Sequence, residues 1–161
     1  MKAHPGGRLT VLILSGDMEK GMAACNLALT ALASGRKATL FFSLWGVNFL
    51  KRSGERGRGT FLARALSTLD RDHAGRQRLG RFNLGGAGRW VMSRLMRRRR
   101  IPSVLESLVQ AHHMGAHIIA CSNSLELMGL DRRDLIPEVD DIAGAMTFLD
   151  AASEGIVVTL S

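Results

Sequence analysis

The first apolar run, Leu9-Thr10-Val11-Leu12-Ile13-Leu14, is continuous and rich in β-branched residues. Such a run marks a strand covered on both faces, as in a parallel sheet, rather than an alternating half-buried one. It stops at Ser15-Gly16, and Asp17 stands where it would cap a following helix. In that helix Met22, Cys25, Leu29 and Leu32 recur at helical spacing until Gly35 ends it. Residues 37–43 (KATLFFS) then read as a second strand. Strand, helix, strand in that order implies a right-handed βαβ crossover, because twisted parallel strands are joined almost always in that hand.

Beyond Trp45-Gly46-Val47-Asn48 the pattern dissolves. Residues 51–88 are rich in Arg and Gly, with a weak helical stretch around 61–69. Residues 89–100 read as a basic amphipathic helix with Trp90, Val91, Leu95 and Met96 on its apolar side. Periodicity returns at Pro102, a favoured first-turn residue. The helix it opens carries Val104, Leu105, Leu108 and Val109 and ends through His112 to Gly115. Residues 117–121 (HIIAC) form a third buried strand, after which Ser122 or Asn123 caps a short helix ending near Met128-Gly129. A helical turn over 132–135, a short strand over 139–142, a helix over 143–152 and a last strand over 156–160 complete the reading.

Strands alternating with helices predict an α/β fold: a three-layer α/β/α sandwich around a mostly parallel sheet of about five strands, flavodoxin-like in topology. The core needs strands from both sides of the middle segment, so residues 1–161 form a single domain with a basic insertion at 51–100. Charge sharpens this division. Residues 51–100 hold 15 Lys and Arg against Glu55, Asp70 and Asp72, a balance of +12, while the whole chain carries +8. The remainder is therefore −4, a mildly acidic body with a strongly basic insert. The insert invites an acidic partner: nucleic acid, an anionic membrane surface or a charged protein.

The two cysteines, Cys25 and Cys121, are too few for a disulfide scaffold, and no Cys/His spacing suggests zinc. Met1 to Gly7 lack the apolar stretch of a signal peptide, and no run approaches the roughly 18 apolar residues of a membrane span. A cytoplasmic protein with reduced thiols is expected, and peripheral membrane association through residues 89–100 stays open.

Cys121 is the candidate for chemistry. It ends a strand and directly precedes the cap-rich Ser122-Asn123-Ser124. In open parallel sheets, ligands bind outside the carboxyl ends of the strands. A thiol there meets free backbone N–H groups and the positive end of a helix, both of which favour the thiolate. The competing reading is an inert packed cysteine, since free Cys is commonly buried.

Four stretches in register bear on that choice. The segment from Ile118 to Gly129 (IIACSNSLELMG) resembles the cysteine segment of the DsrE/DsrF-like superfamily, within it the longer DsrE-like sulfurtransferase subgroup that also goes under the name "peroxiredoxin family". Ser15 to Lys20 (SGDMEK), Phe41 to Asn48 (FFSLWGVN) and Val139 to Leu149 (VDDIAGAMTFL) are similar to that subgroup too. The resemblance covers nearly the whole chain outside 51–100, where this sequence is longer and Arg-rich instead of Met- and Lys-rich. It implies a DsrE/F-like domain without a cofactor, whose cysteine carries persulfide or thiosulfonate sulfur and exchanges it with small carriers of the TusA or rhodanese kind. It implies a homo-oligomer, trimer or hexamer. Carried onto this sequence, it gives Cys121 the carrier role and has Trp45, Gly46 and Asn48 line the same crevice. Ser122, Asn123 and Ser124 would support the anion.

Other features weigh less. Cys25 sits on the packed side of its helix and reads as a small core residue, with a resolving thiol or second sulfur acceptor as the lesser alternative. No Pro-x-x-x-Thr-x-x-Cys pattern precedes either cysteine, so peroxide reduction is not expected. His113 and His117 are four apart, but Gly115 between them breaks the continuous helical face a zinc pair needs, so no metal is expected. Residues 83–89 (NLGGAGR) lack the strand and the Lys-Ser/Thr ending of a phosphate loop. Arg97, Arg98, Arg99 and Arg100 form the strongest charge run, a docking site for an anionic partner or else a solvated face. Two functions follow: a sulfur carrier or sulfurtransferase acting through Cys121, or a non-enzymatic module displaying the Arg-rich insert to nucleic acid, lipid or an acidic protein.

Overall fold

The computed structural model describes residues 7–52, 94, 98, 99, 101–153 and 155–161. Among them are the strands β1 (Arg8–Ile13), β2 (Lys37–Phe42), β3 (His117–Cys121), β4 (Asp141–Ala143) and β5 (Gly155–Leu160). They form one sheet in the order β4-β3-β2-β1-β5, and every neighbouring pair is parallel. The helices are α1 (Met18–Ala33), α2 (Val104–His113), α3 (Ser122–Met128) and α4 (Ala145–Ala152), with 3-10 turns at Leu44–Leu50 and Arg132–Asp134. This is the expected α/β architecture around a five-stranded parallel sheet.

One face of the sheet carries the main core. Leu9, Val11 and Ile13 of β1, Ala38, Leu40 and Phe42 of β2, and Ile118 and Ala120 of β3 pack there against Ala24, Cys25 and Ala28 of α1 and Leu108 and Ala111 of α2. The opposite face holds a smaller cluster of Phe41, Ile119 and Cys121, joined by Leu12, Ala143 and Phe148. α4 is tied to that face by the buried Thr10 hydroxyl, which donates to the carbonyl of Ala151 at 2.9 Å. The alternation of strand side chains places Cys121 on the α4 side of the sheet.

Three boundaries differ from the sequence reading. The fourth strand runs over 141–143, not 139–142: Val139 is 1% exposed and belongs to the main core, and pairing starts only at Ile119 with Asp141. Gly144 is extended and caps α4, so that helix begins two residues later than periodicity suggests. α2 does not begin at Pro102. Ser103 caps it through a reciprocal box with Glu106, in which the Glu106 N–H donates to Ser103 Oγ at 3.2 Å and the Ser103 N–H to Glu106 Oε2 at 2.7 Å. The weak helix around 61–69 and the glycine-rich 83–89 lie outside the described residues. Of the basic helix over 89–100, Arg94, Arg98 and Arg99 are described, and all three are helical and exposed. Among the described residues no helix is long and apolar enough to cross a membrane.

Candidate functional site

The site is built where β2 and β3 end side by side. Their register pairs Phe42 with Ala120, so the next residues along, Ser43 and Cys121, leave the sheet as neighbours. Cys121 is the last residue of β3 and also the N-cap of α3, a role the sequence assigned to Ser122 or Asn123. The N-cap position turns a side chain toward the N–H groups two and three residues on, here those of Asn123 and Ser124. No capping bond closes onto the neutral thiol. A thiolate is the better acceptor.

The thiol stands between an apolar floor and a polar rim. Phe41, Ile119, Ala143 and Phe148 form the floor, with the rings of Phe41 and Phe148 5.4 Å apart. The rim comes from three residues on two elements. Ser124, buried within α3, accepts from the Leu44 N–H at 2.8 Å, and its Oγ lies 3.1 Å from Ser43 Oγ. Burial pushes the Cys121 thiol up. The Ser124 and Ser43 hydroxyls, followed by the backbone N–H groups of Ser124 and Asn123, outweigh that and hold it below the usual thiol value. The hydroxyls contribute ahead of the amides, whereas the sequence reading leaned on the helix terminus. α3 has only seven residues, too few for a strong macrodipole.

Cys121 is 8% exposed, so the sulfur sits at the edge of the packing rather than proud of it. Cys25 is 1% exposed, its Sγ reaches the carbonyl of Val104 at 3.8 Å, and burial pushes its thiol up to about 12. It is a core residue, as its place in the apolar period suggests.

The other expected site residues divide. Trp45 is exposed. Gly46 and Asn48 are buried, close to the end of β1. A Cβ on Gly46 would stand 2.3 Å from the Ile13 carbonyl oxygen, and Asn48 Nδ2 lies close to Gly16. Both belong to the Leu44–Leu50 turn, which packs against both β3 and α3. Ser122 is half-buried and Asn123 exposed, the Ser122 hydroxyl reaching Asn123 Oδ1 at 3.4 Å. Arg98 and Arg99 are exposed, while Arg97 and Arg100 lie outside the described residues.

Ser43 was missed. The signal existed: successive strands of a βαβ array are commonly neighbours, which would have set the residue after KATLFF beside the residue after HIIA. Leu44 gave no such signal, since its part is played by a backbone N–H at φ 48°, a left-handed conformation uncommon for leucine.

The histidines lie elsewhere. His117 begins β3 and Cys121 ends it, about 13 Å apart at strand spacing. His112 Nε2 lies 3.0 Å from Asp140 Oδ1 and His117 Nε2 2.9 Å from Asp141 Oδ2, while Asp140 Oδ2 accepts from the Ile118 N–H at 2.7 Å. These pairs clasp the starts of β3 and β4. Among the described residues no group of three or more His, Cys, Asp or Glu is arranged to hold a metal ion.

Comparison with known proteins bears on the family and the fold. The Bacillus subtilis (strain 168) protein YrkE, itself uncharacterized, is 28% identical over 154 residues, covering 93% of this chain and 94% of that protein. A solved structure, the protein of unknown function MTH1491 from Methanobacterium thermoautotrophicum, superposes with a TM-score of 0.58 at 14% identity. It covers 96% of this chain and 99% of that one, and shows the fold. The model of the DsrE/DsrF/DrsH-like family matches residues 6–159. Since that match spans nearly its whole length, the chain belongs to the DsrE/DsrF/DrsH-like family.

Proposed function

We propose that this protein is a sulfur carrier or sulfurtransferase that holds persulfide or thiosulfonate sulfur on Cys121 and passes it to an acceptor thiol. One observation carries the reading: Cys121 stands at the carboxyl edge of a parallel sheet and at the N-cap of α3, beside the linked hydroxyls of Ser43 and Ser124, donors that hold its thiol below the ordinary value despite its burial. Thiolate is the attacking form of cysteine. It attacks the outer sulfur of a donor persulfide, the donor S–S bond breaks, and the donor thiolate leaves with the electron pair. With thiosulfate the same attack expels sulfite. The outer sulfur keeps its oxidation state, so no oxidant is needed. In the return step an acceptor thiolate takes that sulfur, and the Cys121 thiolate is the leaving group.

Family membership supports this role. The exposed arginines at 94, 98 and 99 are of the right sign to draw an anionic donor or an acidic carrier, of the TusA or rhodanese kind, toward the protein. Met146 and Leu149 on the outer side of α4 are exposed, 71% and 59%, which suits assembly into the trimer or hexamer expected of the family. Incubation with thiosulfate, polysulfide or a persulfidated carrier, followed by intact mass, is the test. Wild type and Cys25→Ser should gain sulfur, and Cys121→Ser should not. Equal loading of all three would reject Cys121 as the carrier.

A further inference from the structure

We propose that Ser43, set beside Cys121 by the β2–β3 register and joined to Ser124 across the gap, is a sulfur-facing donor that holds anionic sulfur at this position. The inference rests on reading Cys121 as the sulfur-bearing thiol. It assigns the thiol's support to a second strand, outside the cysteine segment itself.

The backbone of Ser43 is fixed on both sides. Its N–H donates to the Ile13 carbonyl at 2.9 Å and its carbonyl accepts from the Gly46 N–H at 2.9 Å. The hydroxyl is left to serve the site. A proton count shows what it can do there. A serine hydroxyl has one proton to give and two lone pairs to receive with. The Leu44 N–H already fills one lone pair of Ser124 Oγ. Ser43 and Ser124, 3.1 Å apart, can pass one proton between them. Two hydroxyls bring two protons; with Ser124 donating across the gap, the Ser43 proton remains, and the Cys121 sulfur is the neighbour that can accept it. A neutral thiol would add a further proton to a group already rich in donors. A sulfur anion completes it.

The same count describes the discharge step. When an acceptor takes the outer sulfur, the charge returns to Cys121 Sγ, and a leaving thiolate that is better stabilised departs faster. Ser43 therefore belongs to both the loading and the release of sulfur.

The test is the pH dependence of iodoacetamide alkylation in the intact chain carrying Cys25→Ser, so that Cys121 is the only thiol. Adding Ser43→Ala should move the inflection upward by about one pH unit, with a several-fold slower reaction at neutral pH. Ser43→Thr, which keeps the hydroxyl, should inflect where Ser43 does. If alanine is not tolerated, the isosteric pair Ser43→Thr and Ser43→Val carries the comparison, the valine variant inflecting higher. Inflections that coincide with and without the hydroxyl would overturn the proposal. Sulfur loading of the same proteins is scored separately. A moved inflection in a protein that takes up no sulfur supports the donor role and rejects sulfur carriage. Normal loading with an unmoved inflection does the reverse.

Discussion

Cys25 and Cys121 are both counted as buried, yet their surroundings act on the thiol in opposite directions. Around Cys25, among the described residues, there is apolar packing and one carbonyl, an acceptor that does nothing for an anion, and burial pushes its thiol up to about 12. Around Cys121 a pair of linked hydroxyls and two amides stand near a sulfur at the packing edge. Alkylation should therefore separate them. Iodoacetamide on the native protein should label Cys121 alone, at a rate that rises with pH through an inflection below the ordinary thiol value. Cys25 should react only after unfolding. Peptide mapping of the labelled protein checks both, and native labelling of Cys25 would contradict the packing described. From the sequence, the difference between the two was half legible. Helical spacing placed Cys25 in the core, and the strand-to-helix switch placed Cys121 at an edge. That Ser43 completes the rim depends on which strands pair, and residue types along a single strand do not state that.

At the scale of elements, the site depends on a turn that approaches the sheet more closely than a side chain permits. The Gly46 N–H bonds to the carbonyls of Leu14 and Ser43, and its α-carbon lies against the Ile13 carbonyl. A methyl group there meets backbone, which cannot rotate away. Gly46→Ala is expected to cost about 1–3 kcal/mol and to slow alkylation of Cys121, since Ser43 and Leu44 would shift with the turn. Thermal melting and labelling rate measure the two effects. The α2 cap gives an independent prediction. Hydrogen bonds from the Ser103 backbone and hydroxyl lower the Glu106 carboxyl below its usual value. Its stabilisation is thus complete above the unfolded-state value and is lost as pH falls through the depressed one. Glu106→Ala should flatten that part of the acid stability profile, and Ser103→Ala should cost about 1 kcal/mol at neutral pH. Long apolar runs made β1, β2, β3 and β5 readable. β4 was displaced because Val139 is apolar for the core and not for the ladder. The start of α2 was misplaced because the cap, one residue past Pro102, sets it.

Over the whole molecule, the parallel sheet puts Cys121 at the edge where its strands end, and the segment 51–100, read from the sequence as a basic insert, carries the excess of positive charge. The sign of that insert is readable from composition, whereas its site in the fold is not. If its arginines recruit anionic donors, loading with thiosulfate should slow as salt rises, because screening shortens to about 8 Å near physiological ionic strength. A neutral organic trisulfide should load at a salt-independent rate. Matching salt dependence for the two donors would deny the insert a steering role. The exposed Met146 and Leu149 lead to a further expectation. Sedimentation should find an oligomer that Met146→Glu with Leu149→Glu dissociates, and a wild-type monomer would leave that face without the partner copy proposed here.

The central claim concerns sulfur that arrives on Cys121 and then departs. Its most direct measurement is a single turnover: load the protein from polysulfide, remove the donor, add an excess of acceptor thiol, and follow the peptide bearing Cys121 and the acceptor together by mass. The account predicts that one sulfur leaves that peptide as one appears on the acceptor, with no transfer from Cys121→Ser. Sulfur that never reaches Cys121, or that stays there while the acceptor remains unmodified, would contradict it.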